Sequence, residues 1–218
     1  MLTDSNGREA TANSILNHVP KKWRGDYDVR VIPVYTTEEA FNRVGNGDVD
    51  VVNADVIIDV LTNDVRGTRQ RSAASPEELV WRVDRLRRRL REAGARETVV
   101  CQIKPMEVVD VTAHSVMIHD YLQAEIAKGR TGYGCSTQVR RQFLKRDGYH
   151  IQPQYDSLID RTYACAMLGF PVPEPTPLEE LAPEYVRRRY HSDYPSLARR
   201  VERGQRVGFE GPRVNYGW

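Results

Sequence analysis

At 218 residues the chain has room for one α/β domain and an appendage, and is too short for two full catalytic domains. Hydrophobic residues at 40% and charged residues at 28% exclude a collagen-like or wholly disordered chain. The 32 Lys and Arg against 30 Asp and Glu leave +2, so bulk charge makes no case for nucleic-acid or membrane binding.

Leu2 and Thr3 read as the end of a first strand, which is either very short or lacks residues that a longer protein would have. A helix is predicted over residues 9–18. Residues 29–34 (VRVIPV), 55–61 (DVIIDVL) and 98–103 (TVVCQI) are short, β-branched and apolar at successive positions, as in strands covered on both faces. Helical patterns lie between them, over residues 37–44 and from Pro76 to Gly94, where Leu79, Val83, Leu86 and Leu90 recur at spacings of 4, 3 and 4. Ser75 with Glu78 reads as a capping box, with Pro76 at the first helical position. Further helices are predicted over residues 113–127, 137–145 and 154–167. Strands alternating with helices, without an internal repeat, imply a parallel sheet with right-handed crossovers: a three-layer, doubly wound, flavodoxin-like α/β domain over residues 1–169. Pro171, Pro173, Pro175 and Pro177 then alternate in a stiff linker, residues 170–177. Residues 178–218 read as a basic tail, part helical and part irregular, that lies on the domain or reaches for a partner.

In a doubly wound sheet, functional groups gather where strands end at their carboxyl edge, near the topological switch point. Three turns at such positions carry unusual residues. Thr3-Asp4-Ser5-Asn6-Gly7-Arg8 precedes the first predicted helix, which puts a hydroxyl at a helix N-terminus, where unpaired N–H groups stabilise a developing anion. Thr62-Asn63-Asp64 closes the run 55–61 with an amide able to donate. Asp147-Gly148-Tyr149-His150 places a carboxylate and an imidazole on one loop, so that one orients the other. Together they supply a nucleophile, a base, an orienting acid and an oxyanion donor, the parts of serine-based acyl transfer. Each fragment alone has a plainer reading: an N-cap serine, a turn asparagine, an Asp-Gly turn.

These blocks resemble those of the SGNH (GDSL-type) hydrolases. Asp4-Ser5 matches the first block, Leu61-Thr62-Asn63-Asp64 looks like the Gly-x-Asn-Asp block, and Asp147-x-x-His150 the last, over about residues 1–169. The resemblance implies a cofactor-independent esterase or acyl hydrolase acting on a small ester. By that resemblance Ser5 is the nucleophile, His150 the general base and Asp147 its orienting partner. The Asn63 side chain joins the Ser5 N–H and a glycine N–H in the oxyanion hole. The chain also departs from the family. Thr3 stands where the first block begins with glycine, and Leu61 where the third does. The second block's oxyanion glycine has no counterpart, because Tyr35-Thr36-Thr37-Glu38 follows the second strand directly. Losing one such donor typically costs about 10²–10³ in turnover; the backbone N–H of Tyr35 or Thr36 is the available replacement. These departures also resemble the hydrolase-like domain of Oskar, which lacks a working triad and is linked to RNA binding. A non-catalytic domain that binds RNA or a protein partner is therefore the alternative.

Cations lie close in sequence to the same strand ends: Arg8 after the serine turn, Arg66, Arg69 and Arg71 after Asn63, and Lys104 after residues 98–103. With Arg8, Arg66 and Lys104 on one rim, the site would favour an anionic ester or a nucleic-acid backbone; the plainer reading is a solvated polar loop. Arg82, Arg85, Arg87, Arg88, Arg89 and Arg91 are read as a solvated helix face. Arg187, Arg188 and Arg189, among Tyr185, Tyr190 and Tyr194, read either as packing onto the domain or as a single-stranded nucleic-acid surface. Cys101, Cys135 and Cys165 lie far apart with no CxxC pair, so no disulfide framework is indicated. No Asp/His set has metal-ligand spacing and no nucleotide-binding glycine run occurs, so neither metal nor cofactor is expected. The start MLTDSNGREA lacks the apolar core of a secretory signal, and the expected location is cytoplasmic.

Overall fold

Among the described residues five strands, β1 (Leu2–Thr3), β2 (Ile32–Pro33), β3 (Asp55–Asp59), β4 (Glu97–Cys101) and β5 (Tyr133–Cys135), pair in parallel in the order β2-β1-β3-β4-β5, the doubly wound arrangement with its switch point between β1 and β3. The computed structural model describes residues 1–169 apart from 8, 70, 129–132 and 136–139, with backbone alone at 133–135 and 141. The expected linker and tail, with Arg187, Arg188 and Arg189, lie outside the described residues, as does Arg8.

The helices are α1 (Ala12–Leu16), α2 (Thr37–Gly45), α3 (Leu61–Arg66), α4 (Pro76–Glu92), α5 (Thr112–Ala127) and α6 (Asp156–Leu168). Strand alternation splits the core between the two faces of the sheet. Val56, Ile58 and Val100 pack with Leu79, Val83, Leu86 and Leu90 of α4, all four fully buried. Ile57, Val99 and Cys101 face Ile15 of α1 and Leu158, Ile159 and Tyr163 of α6. Each fully buried aliphatic side chain contributes about 1.5–3 kcal/mol, so the α4 stripe alone accounts for a large share of the first face.

Several elements differ from expectation. The second strand contracts from residues 29–34 to Ile32–Pro33 because its neighbour β1 offers only two residues for pairing. Pro33 has no N–H to give and sits on this edge strand, where the loss is tolerated. The run 55–61 stops at Asp59 and turns into α3, so Asn63 belongs to a short helix and not to an open turn. β5 was invisible to an apolar-run criterion, since a three-residue strand centred on Gly134 has no such run. Within the predicted helix 137–145, the described part is a 3-10 turn at Arg141–Phe143, followed by an antiparallel bridge from Leu144 to Ile151. At α4 the Ser75 hydroxyl accepts from the Glu78 N–H, but the Glu78 carboxylate pairs with Arg82 and does not close the capping box. The α4 arginines are not all solvated. Arg87 is fully buried and donates to Thr98 Oγ1 and the Tyr121 hydroxyl, and Arg82 donates to buried Asp64 at 2.6 Å.

Candidate active site

β1 and β3 end side by side, and both carboxyl ends feed the site. The Asp4 N–H donates to the Asp59 carbonyl at 3.0 Å, so the chain leaves β1 into a turn pinned to the end of β3. The Asp4 carboxylate continues that pinning: Oδ1 accepts from the Asn6 N–H (2.9 Å) and Oδ2 from the Thr62 N–H (3.2 Å). One buried side chain thus fixes both the Ser5 turn and the start of the segment carrying Asn63. Ser5 does not sit at a helix N-terminus. α1 begins only at Ala12, capped by Thr11, and Ser5 and Asn6 lie in a turn well before it.

Beneath this turn lies a closed polar cluster. Lys104 donates to both Asp59 oxygens at 2.6 Å, the Tyr163 hydroxyl donates to Asp59 Oδ2, and Thr3 Oγ1 shares a 3.1 Å hydrogen bond with that hydroxyl. Burial, above all, raises the Asp4 carboxyl above its ordinary range, against the pull of Lys104. Burial works against the Lys104 charge too, but Asp59 and Asp4 outweigh it and hold the ammonium above its usual value. Lys104 is therefore not a rim cation. It is 1% exposed and neutralises Asp59 from inside, which removes it from the expected anion-binding set. Gly7 packs against this cluster, and a Cβ there would come within 2.2 Å of the Tyr163 hydroxyl. Only glycine permits that approach.

The third block assembles as a local unit. Asp147 Oδ1 accepts from the N–H groups of Tyr149 (3.2 Å) and His150 (3.0 Å), while Oδ2 meets His150 Nδ1 at 2.8 Å. Burial favours the neutral acid, but these bonds from His150 and Tyr149 prevail and hold Asp147 below its ordinary value. An ionised carboxylate only accepts, so Nδ1 carries the proton and Nε2 is free to accept. His150 Nε2 lies 3.0 Å from Ser5 Oγ. Ser5, His150 and Asp147 thus form one continuous hydrogen-bonded chain.

Asn6, which the sequence reading passed over as part of a turn, joins the two halves. Its Nδ2 donates to the Tyr149 carbonyl (3.2 Å) and its Oδ1 accepts from the Ile151 N–H (3.1 Å), so it grips the backbone on both sides of His150. No sequence signal distinguishes that role, because its partners lie more than 140 positions away.

Asn63 donates one Nδ2 hydrogen to the Tyr35 carbonyl at 2.9 Å and accepts at Oδ1 from Arg66 Nη2 at 3.1 Å. With its carbonyl end held by Arg66, the amide keeps its second N–H for another acceptor. The Arg66 guanidinium also stacks 4.0 Å from the Tyr149 ring, and that ring lies 4.1 Å from His150. Asp64 is turned inward. It accepts from the N–H and hydroxyl of Thr37 and from Arg82, tying α3 to the start of α2. Of the two candidates to replace the missing glycine donor, the Tyr35 N–H is taken by Glu39 at 2.8 Å. The Thr36 N–H, like that of Ser5, meets no acceptor among the described residues.

No family model matches the chain, and no curated protein matches it by sequence. Solved structures do match. One is an acetyl esterase, a serine-to-alanine mutant with acetate ion, at 16% identity and a TM-score of 0.58, covering 78% of this chain and 95% of that one. Another is a carbohydrate esterase of family 3 from Talaromyces cellulolyticus, at 15% identity and a TM-score of 0.59, with the same coverage. At such identities the likeness establishes the fold alone, a doubly wound parallel α/β fold shared with these esterases.

Proposed function

We propose that the protein is a serine hydrolase that cleaves a small acyl ester through Ser5, His150 and Asp147. The observation that carries this reading is the unbroken pair of contacts from Ser5 Oγ to His150 Nε2 and from His150 Nδ1 to Asp147. A serine that serves only as a turn residue has no use for an imidazole already oriented by a carboxylate. In the proposed reaction Ser5 Oγ attacks the acyl carbon as His150 Nε2 takes its proton. The tetrahedral oxyanion is held by the Ser5 N–H, the Asn63 amide and the Thr36 N–H. Collapse expels the alcohol with the proton returned by His150, and water, activated by the same base, hydrolyses the acyl-serine ester. The esterase neighbours support a substrate of the ester class. The alternative of a silent RNA- or protein-binding domain draws on Arg66, Arg69 and Arg71, or on Arg187, Arg188 and Arg189, which lie outside the described residues.

The test is labelling by a fluorophosphonate probe together with hydrolysis of short aryl esters. Wild type takes up one probe per chain, and Ser5→Ala loses both labelling and turnover, by about 10⁴-fold or more. Equal turnover in Ser5→Ala would refute the assignment.

A further inference from the structure

We propose that the pocket beside Asn63 is an anion-binding subsite, so that the ester cleaved at Ser5 carries a fixed negative group, a carboxylate or a phosphate. The inference rests on the hydrolase reading above. The pocket is a solvent-open cleft of about 880 Å³ lined by Tyr35, Arg66, Arg69, Arg71 and Ser72, among others. That volume suits a small molecule.

Its position ties it to the chemistry. The Tyr35 carbonyl in its wall accepts from Asn63, and Arg66 in its wall both holds the other end of that amide and stacks on Tyr149 beside His150. A molecule in this pocket is therefore separated from the oxyanion donor by Arg66 alone, and from the base by Arg66 and Tyr149.

Its charge is one-sided. Three arginines line it and no carboxylate does. The nearest acid, Glu38, lies 3.8 Å from Arg71 but is shared with Arg85 at 3.4 Å. Asp64 faces inward to Thr37 and Arg82. Arg69 is exposed and pairs with no carboxylate among the described residues, and Arg66 Nε is buried with no hydrogen-bond partner there. A buried guanidinium donor left without an acceptor is costly, and the natural acceptor is the oxygen of an anion.

The arginines are also built in place. Gly67, at φ +75°, turns the chain so tightly that a Cβ would come within 2.8 Å of the Ala73 nitrogen. Thr68 and Arg71 then exchange backbone hydrogen bonds of 2.8 and 3.3 Å, and the Ala74 N–H returns to the Asp64 carbonyl at 2.9 Å. These bonds anchor the backbone at Thr68 and Arg71, on either side of the two-residue span that carries Arg69. Guanidinium groups match carboxylate and phosphate oxygens in pairs, which gives such a pocket selectivity and not attraction alone.

The experiment compares esters matched except in charge: 4-acetoxybenzoate and 4-acetoxyphenyl phosphate against methyl 4-acetoxybenzoate. Wild type is expected to favour one or both anionic esters by about tenfold or more in kcat/KM, a preference reduced by added salt. In Arg69→Gln/Arg71→Gln, with folding checked by thermal melting, the ratio falls to within about twofold of unity. A wild-type ratio at or below one, or a ratio unchanged in the double variant, overturns the subsite. Absent turnover of every ester, with Ser5 unlabelled, refutes the hydrolase reading instead. Equilibrium binding of 4-hydroxybenzoate against methyl 4-hydroxybenzoate then decides the subsite: a preference lost in the double variant upholds it, and equal affinities overturn it.

Discussion

Two halves of the candidate site are held by opposite physical means. The nucleophile half rests on buried charge: Asp4, Asp59, Lys104 and Tyr163 are each almost fully shielded from water and satisfied by one another, by the Thr3 hydroxyl and by nearby backbone. The base half is a surface turn. Asp147 is 39% exposed and His150 27%, and their geometry comes from three hydrogen bonds to one carboxylate within four residues. Buried charge is rigid, but it depends on every partner being present; a local turn is tolerant of its surroundings but depends on one side chain. Damage to the first half should therefore appear in stability, and damage to the second in catalysis.

Asp147→Asn should produce the largest effect and confine it to activity. The amide oxygen still accepts from the backbone N–H groups, but the amide N–H₂ faces Nδ1 and shifts the imidazole proton to Nε2, where it blocks acceptance from Ser5. A fall in kcat of up to about 10⁴ is expected, with stability changed by less than about 1 kcal/mol. Steady-state kinetics and urea denaturation on the same samples separate the two. A variant that loses stability instead would place Asp147 in the scaffold.

Lys104→Met reverses the pattern. It strands Asp59, with Asp4 close by, without a counter-charge in the interior, and the loss of one partner from a buried pair costs about 3–5 kcal/mol. Urea denaturation should show that loss, and adding Asp59→Asn should recover part of it, because the uncompensated charge goes with the second change. A single-variant cost under about 1 kcal/mol would mean that the pair does not anchor the nucleophile turn.

The same division explains what the sequence made legible. Asp147 and His150 are three positions apart, so both their chemistry and their mutual orientation can be read from one short segment. Asn63 follows β3, which an apolar run locates, whereas Ser5 follows a two-residue strand with no such run and is read from its Asp4-Ser5 block. Lys104 was misread because it too follows a strand, and nothing in its own neighbourhood tells that Asp59 waits inside at 2.6 Å. Arg87 was misread in the same way: it lies beside the apolar stripe of α4, and only the placement of Thr98 and Tyr121 draws it inward. The three-residue β5 exists because of its neighbour in the sheet, so no local pattern announces it, and the pattern that announces β2 overstates its length because β1 offers only two residues to pair with. Side chains satisfied within their own turn can be read from sequence, whereas those satisfied across the fold cannot.

Asn6 lies on the seam between the two halves, and replacing it tests whether they are separable at all. Asn6→Ala leaves the Tyr149 carbonyl and the Ile151 N–H without their side-chain partner, while the bonds from Asp147 to His150 and from Lys104 to Asp59 stay in place. Loss of such partly buried bonds costs about 1–3 kcal/mol, less than breaking the Lys104 pair. The kinetic cost should be intermediate as well, since a base held only by its own turn drifts from the serine, and small misplacements reduce rate by about 10²-fold. The expected signature is a fall in kcat together with a modest fall in stability, a combination that neither of the other two variants should give. A purely thermodynamic loss would mean that the 147–150 turn finds its register without help from the nucleophile segment, and that the apposition of His150 and Ser5 is set by the packing of α6 instead.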